Sequence, residues 1–292
     1  MGSRCGRSLP AGWHSSVLYG IDLSRDLSRD QRSLPKNPHS RVLATGNLAR
    51  RFDPRRYHRR VPGKTERSGP WLLAGTAAEV LDDEVRAVIC PDKIKTAQWF
   101  EVVENAHRRG IRTTATIMFG HVDRYRHWAR RLVRLRDLQT RTAGFTEFVP
   151  LPFVPMETPL HLRGASRLGP TFREAVLMHA VSRLALHPVM KNIQTSWVKM
   201  GRDGAAACLK AGANDLGGTL MNESITRAAG AVHGEEMPPE AMEDVIMSLG
   251  RRPRQRTTLY GQASADRIAA SFNAVPLRPH SAIRTHRLTR GT

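Results

Sequence analysis

His107-Arg108-Arg109-Gly110 leads straight into Ile111-Arg112-Thr113-Thr114-Ala115-Thr116-Ile117-Met118. A basic helix end, a glycine and a β-rich run follow one another without a gap. The same joint recurs as Arg141-Thr142-Ala143-Gly144 into Phe145-Thr146-Glu147-Phe148-Val149, and as Leu209-Lys210-Ala211-Gly212 into Ala213-Asn214-Asp215-Leu216. A glycine just past a helix supplies the left-handed residue that ends it. Glycines 110 and 144 are 34 residues apart, and 144 and 212 are 68 apart, twice that. A βα unit takes roughly 30 or more residues. The repeat therefore predicts a parallel α/β array, whose chemistry belongs at the C-terminal ends of its strands.

Hydrophobic periodicity fills in the elements around these joints. Thr76-Ala77-Ala78-Glu79 reads as a capping box opening a helix that runs to about Ile89. A helix over 95–109 puts Trp99, Val102, Val103 and Ala106 on one face. A strand over 111–118 and a helix over 124–142 follow, the latter with Trp128, Leu132, Leu135 and Leu138 inward. Its Arg126, Arg130, Arg131, Arg134 and Arg136 are expected on the wet side. After strand 145–149, Pro150-Leu151-Pro152-Phe153 is expected to stop the ladder, because proline lacks an N–H. A connection of about 20 residues, long enough to suggest function, reaches a helix over 172–187. Strand 192–198, helix 203–211, short strand 213–216 and a helix near 238–249 complete the pattern.

The flanks differ from this middle. Residues 1–70 hold 15 Lys and Arg against 5 Asp and Glu, and residues 262–292 hold 5 against 1. Together they carry most of the formal charge of +20. The chain thus divides into a basic, mostly irregular leader (1–70), a partial barrel (71–261) and a basic tail (262–292). The arginines sit in Ser-, Pro- and Gly-rich sequence without a zinc finger, an aromatic RNA-binding signature or a KH-type loop. A solvated arm is expected rather than a nucleic-acid site; a basic binder using both arms is the alternative. The three cysteines, Cys5, Cys90 and Cys208, are far apart and imply no disulfide framework. No run has the apolar length of a membrane span and no signal peptide is legible, so a cytoplasmic location is expected.

Five strand ends can be read as places for chemistry. Thr76 and Glu79 follow the first. His121 follows the second and can serve as an acid, a base or a donor, or sit satisfied by backbone. Glu147 alternates with apolar Phe145 and Phe148 inside a short strand. A carboxylate there faces the interior, which is costly unless it is paired or bound. Gln194 and Ser196 share a strand face by the period of two, with Lys199 at the exit. Asp215, Gly217 and Gly218 end the last strand, where the glycines permit close backbone approach to a ligand. No HExxH, Walker loop, GxSxG or dinucleotide fingerprint is present, and no metal-ligand spacing links the histidines.

At these same strand ends the chain resembles FO synthase, specifically its tyrosine-using subunit or half. The resemblance is carried by Gly75-Thr76-Ala77-Ala78-Glu79-Val80-Leu81-Asp82-Asp83-Glu84-Val85-Arg86 and by Thr116-Ile117-Met118-Phe119-Gly120-His121-Val122-Asp123 with His127-Trp128. It continues in Gly144 through Phe153, in Ile193-Gln194-Thr195-Ser196-Trp197-Val198-Lys199, in Ala213 through Met221, and in Arg254-Gln255-Arg256-Thr257-Thr258-Leu259-Tyr260. It spans about 75–261, and menaquinone-pathway relatives share parts of it. What it implies is the second half of a radical S-adenosylmethionine (SAM) barrel of TIM type. The family joins the hydroxybenzyl group of tyrosine to 5-amino-6-ribitylaminouracil, on the route to the deazaflavin of coenzyme F-420. Its cofactors are S-adenosyl-L-methionine and a 4Fe-4S cluster held by three cysteines in a CxxxCxxC loop. The candidate SAM- or substrate-binding residues are then Thr76, Glu79, His121, Glu147, Gln194, Ser196, Lys199, Asp215, Gly217 and Gly218.

The chain departs from the family in two respects: it contains no CxxxCxxC, and residues 1–70 do not resemble the first strands that the family has before the position of Gly75. Cluster ligands are thiolates closely spaced in one loop, which Cys5 and Cys90 are not. Turnover is expected to need a second chain supplying the cluster, with this chain inactive alone. The alternatives are a non-catalytic fragment or interaction module, and a menaquinone-pathway relative. An open array leaves two sheet edges, so the isolated chain is expected to be marginally stable, to aggregate or to pair.

Overall fold

In a computed structural model, which describes residues 41–44, 71–75, 78–219, 225–234 and 236–275, the first two joints lead into strands, and at the third the strand expected over 213–216 is reduced to a bridge at Asp215. Helix α1 covers Asp83–Ile89, α2 Thr96–Arg108, and strand β3 Arg112–Phe119. Helix α3 is Tyr125–Thr142 and strand β4 Phe145–Pro152. Strands β1 (Arg41–Ala44) and β2 (Trp71–Ala74) precede them. The sheet order is β1-β2-β3-β4, every pair parallel. Two single parallel bridges extend it in chain order, Phe148 with Ile193 and Gln194 with Asp215. Short helix α4 (Pro159–Leu162), then α5 (Phe172–Leu186) and α6 (Trp197–Lys210), lie between these members. Helices α7 (Ile225–Ala228), α8 (Pro239–Met247) and α9 (Ala265–Phe272) follow, the last inside the stretch read as a basic tail.

The core lies between sheet and helices. In β3 the odd residues Thr113, Ala115, Ile117 and Phe119 are buried, Arg112 is exposed and the other even residues are half-exposed. Against them pack Trp99 and Val103 of α2 and Leu132, Leu135 and Leu138 of α3. Burying a large apolar side chain contributes about 1.5–3 kcal/mol, so this layer, not helix propensity, holds the array together. No described helix is long and apolar enough to cross a membrane.

The three glycine joints work by different means. Gly110 and Gly212 have φ of +74° and +126°. At the middle joint the left-handed residue is Ala143, with φ +49°. Gly144 is needed there for another reason: a Cβ on it would lie 2.0 Å from the His107 ring. That ring is buried, bonded to Thr142 Oγ1 and Thr113 Oγ1 at 2.7 Å each. Burial pushes its pKa down to about 4.

Several sequence expectations are corrected. The helix expected from Thr76 begins at Asp83 instead; Thr76 itself lies outside the described residues. Glu79 has φ +44°, which breaks a helix, and Val80 and Leu81 are both fully buried. The prolines do not stop β4, which pairs Pro150 with Ile117 and Pro152 with Phe119. Phe148 directs its N–H and C=O toward 192–194. Pro150 and Pro152, two and four residues on, therefore lack their N–H on that side, where the partner segment has ended. Strand 192–198 is cut to the bridge at 193–194, and Ser196 is the N-cap of α6.

The basic face of α3 is not simply wet. Arg131 is fully buried, its guanidinium carbon 4.7 Å from the Trp99 ring centre and Nη2 donating to Thr116 O at 2.6 Å. Arg134 donates to Leu81 O at 2.7 Å, Arg86 to Ala78 O at 2.7 Å, and Arg130 to the Asp82 carboxylate at 3.0 Å. An irregular buried segment has carbonyls that need donors, and arginines supply them. Among the described residues Nε and Nη1 of Arg131 have no partner, and burial lowers its pKa to about 9. Replacing a buried charge by an apolar residue of similar volume is often neutral or stabilising. Arg131→Met is expected to leave the urea midpoint unchanged or raise it by about 1–2 kcal/mol in stability. A drop of that size would show that the cation is needed.

Candidate functional site

A bulge places the central residue. Between the pairings of Thr113 with Phe145 and of Ala115 with Phe148, one residue of β3, Thr114, faces two of β4, Thr146 and Glu147. The extra residue reverses the alternation of side chains. Phe145 packs on α2, with its ring 4.7 Å from His107 and 6.4 Å from Trp99. Glu147, two residues on, instead meets Arg256 and Tyr260.

Asp215 arrives at the same place from the neighbouring strand position. Its backbone pairs with Gln194, and its Oδ1 accepts the Gly217 N–H at 2.7 Å. Arg256 and Tyr260 come from a tight turn closed by the antiparallel bridge of Arg256 to Gln262 and by Thr257 N–H donating to Gly261 O at 2.9 Å. Tyr260 takes the left-handed conformation, φ +63°, which lays its ring 3.6 Å under the Arg256 guanidinium carbon.

Four side chains thus converge. Arg256 Nε donates to Asp215 Oδ2 at 2.7 Å, and Nη2 donates to the same oxygen and to Glu147 Oε2 at 3.0 Å. Tyr260 Oη is bonded to Asp215 Oδ2 at 2.6 Å and to Glu147 Oε2, and accepts from Arg256 Nη2 at 2.9 Å. Glu147, Asp215 and Arg256 are 1%, 6% and 7% exposed. Burial pushes Glu147 up to about 7, opposed by Arg256 and aided by the Asp215 charge. Burial and the two carboxylates raise the Tyr260 phenol well above its usual range.

The sequence-picked candidates fall into three groups. Glu147, Gln194, Asp215, Gly217 and Gly218 come together. A Cβ on Gly217 (φ +76°) would lie 2.6 Å from Gln194 Nε2, and Trp197 Nε1 donates to Gly218 O at 2.7 Å. Gln194 Oε1 is buried and has no partner among the described residues. Ser196 and Lys199, both half-buried, open α6 beside this group. His121 and Glu79 bracket the end of β3 instead. His121 Nδ1 accepts from Val122 N–H at 2.7 Å, so Nε2 carries the hydrogen and meets Met118 O at 3.1 Å. Burial lowers its pKa, and both ring nitrogens are spent on backbone. Asp123 accepts from Gly120 N–H, His121 N–H and Trp128 Nε1, fixing the same turn. Glu79 O accepts from Met118 N–H at 3.1 Å, and its carboxylate pairs with Lys93 at 2.7 Å.

Arg256 and Tyr260 were not among the sequence-picked residues. The signal for them was indirect: two carboxylates on inward strands require a buried cation, and Arg256 and Tyr260 stand four apart in a segment without helical periodicity. Elsewhere, a cavity of about 420 Å³ opens among α1, α2 and α3, lined by Asp82, Asp83, Thr96, Ala97, Phe100 and Arg134. None of the sequence candidates lines it.

Fold and site together define an α/β protein with a parallel strand wall that carries a buried acid–guanidinium–phenol cluster. Residues 142–267 match the family model described as the CofH/MqnC C-terminal region, a stretch that contains all four cluster residues. The chain is similar to FO synthase of Mycobacterium leprae, 51% identical over 193 residues, 66% of this chain and 22% of that protein. FO synthase of Streptomyces coelicolor is 50% identical over 199 residues, 68% of this chain and 23% of that protein. The 5-amino-6-(D-ribitylamino)uracil–L-tyrosine 4-hydroxyphenyl transferase of Methanocaldococcus jannaschii is 48% identical over 188 residues, 64% of this chain and 52% of that protein. The resemblance read from the sequence is borne out: the C-terminal part of this chain is related to the C-terminal part of FO synthase. The chain spans between about a fifth and about half the length of these relatives.

Proposed function

We propose that this chain supplies the C-terminal strand wall of an FO synthase-type radical SAM transferase. The reaction joins the tyrosine-derived hydroxybenzyl group to 5-amino-6-ribitylaminouracil in deazaflavin coenzyme F-420 biosynthesis. The observation that carries this reading is the Glu147–Arg256–Asp215–Tyr260 cluster inside the matched stretch. The parallel order of β2, β3, β4, segment 193–194 and Asp215 supports a partial TIM-type barrel.

The residues of this chain do not fit the cluster that the family uses. Cys90 and Cys208 sit on different elements, both buried, with thiols pushed up by burial, Cys208 to about 11. Metal-binding thiolates need the opposite environment. Cys5 lies outside the described residues, and no CxxxCxxC occurs in the 292 residues. The work left to this chain is binding and orientation. Gln194, Ser196 and Lys199 offer amide, hydroxyl and ammonium groups to a polar substrate such as the ribityl chain or the amino acid. Gly217 and Gly218 let the backbone come close. Arg256 holds Glu147 and Asp215 in place on the wall.

The test combines binding with complementation. The chain alone, reconstituted anaerobically with iron and sulfide, is expected to show no 4Fe-4S absorption and no SAM cleavage. Calorimetry is expected to detect 5-amino-6-ribitylaminouracil or tyrosine. Mixing with a cluster-bearing FO synthase segment is expected to yield the deazaflavin. Cluster assembly by the chain alone would overturn the cysteine argument. The same cysteine pattern favours a second reading, a non-catalytic module, which predicts no substrate binding and no product in the mixture.

A further inference from the structure

Two hydrogen bonds among three oxygens need two hydrogens. Tyr260 Oη lies within hydrogen-bond reach of both Asp215 Oδ2 (2.6 Å) and Glu147 Oε2. A phenol carries one hydrogen. The second must sit on a carboxyl, because two bare anionic oxygens cannot both be bridged by a single O–H. Asp215 is the better stabilised anion: it accepts Nε and Nη2 of Arg256 and the Gly217 N–H. Glu147 is given one guanidinium N–H. We infer that Glu147 is a neutral carboxylic acid that donates to Tyr260, which donates to Asp215, and that this proton latches the turn carrying Arg256 and Tyr260 onto the strand wall.

The charge count agrees. Two buried carboxylates facing one guanidinium would leave an unpaired negative charge, which burial penalises strongly. With Glu147 neutral, Asp215 and Arg256 balance. The titratable and charged groups that face Glu147 are Asp215 from the neighbouring strand position and Arg256 and Tyr260 from the turn. The inference does not depend on which substrate the wall meets.

Linkage sets the sign. Closed, Glu147 keeps its proton up to about pH 7; open to water, it titrates like an ordinary glutamate near 4.5. The closed turn therefore binds more protons between these values, and raising pH through that window opens it. Opening should rise about tenfold per pH unit there and level off above it.

Two measurements on the full chain test this. Difference infrared spectroscopy should show a protonated carboxyl C=O band at pH 6 that Glu147→Gln removes. Hydrogen exchange of the amides of residues 254–262, corrected for intrinsic pH dependence, should show opening rising about fortyfold between pH 5 and pH 7. In Glu147→Gln, which stays neutral, that rise should vanish. If the glutamine variant fails to fold, Asp215→Asn serves in its place. With one carboxylate left against Arg256, the band should titrate at least tenfold more readily, one pH unit lower or more. No carboxyl band at pH 6, or a pH dependence unchanged in the variant, would overturn the inference.

Discussion

Arg256→Ala is expected to cost about 3–5 kcal/mol of stability. The physical reason is an uncompensated charge. Arg256 is the shared cation of Glu147 and Asp215, bonded to both at 3.0 Å or closer. Removing one partner of a buried ion pair leaves the other partner's charge in a low-dielectric interior, and such losses run at about 3–5 kcal/mol. Arg256→Lys should recover only part of this, because an ammonium cannot reproduce a planar fork reaching two carboxylates. Urea unfolding with a global fit of midpoint and slope measures both. A loss below about 1 kcal/mol for the alanine variant would mean that the cluster is wetter than its burial indicates. The double variant Arg256→Met with Asp215→Asn should be markedly milder than Arg256→Ala, because it removes cation and anion together.

Gly144→Ala is the second large effect. The new Cβ would lie 2.0 Å from Cγ of His107 and 2.4 Å from Nδ1. The ring cannot retreat without giving up its bonds to Thr113 and Thr142 and its edge contact with Phe145. Overpacking costs about 1–3 kcal/mol, and each lost buried hydrogen bond adds about 1 kcal/mol. A total of about 3–4 kcal/mol is expected by thermal or urea denaturation. Gly144→Ala in a His107→Ala background should cost less than 1 kcal/mol, since the obstructing ring is gone. Gly110→Ala makes the contrast: nothing lies within 4 Å of its Cβ, so only the strain of φ +74° remains, about 1 kcal/mol.

Much of the architecture was legible because it is local. The helices at 96–108, 125–142, 172–186 and 239–247 and the strands at 112–119 and 145–152 are written in runs where the period is 3.6 or 2 and a turn residue stands at each end. Two of the failed expectations share one reason. Trp197-Val198 after Gln194 has strand propensity, yet Trp197 donates to Gly218 O and both side chains pack in the core as the first turn of α6. Tertiary packing overrode propensity. The capping box at Thr76–Glu79 met the same fate: Val80 and Leu81 both turn into the core, which a helix cannot do for every such neighbouring pair.

The candidate site was half legible. Glu147 stood out as a carboxylate in an apolar strand, Asp215 as a candidate at a strand end, and Gly217 as a residue that close approach would require. Their partners did not, because Arg256 is 109 residues from Glu147 and 41 from Asp215. No local pattern encodes a pairing at that distance. Arg131 was misread for a similar reason. Helical spacing places it beside outward arginines, and only the Trp99 ring of α2 and the Thr116 carbonyl of β3 explain its burial.

The chain's own residue order settled the alternation of helix and strand, the three glycine joints, the basic flanks, the missing cluster cysteines and the kinship with FO synthase. Each of these is a property of neighbours along the chain or of residue counts. The three-dimensional arrangement alone decided that a bulge turns Glu147 toward Arg256, that Gly144 makes room for a histidine, and that one phenol joins two carboxylates. Those depend on which distant segments share a volume from which water is excluded, where every buried charge and hydrogen must find a partner.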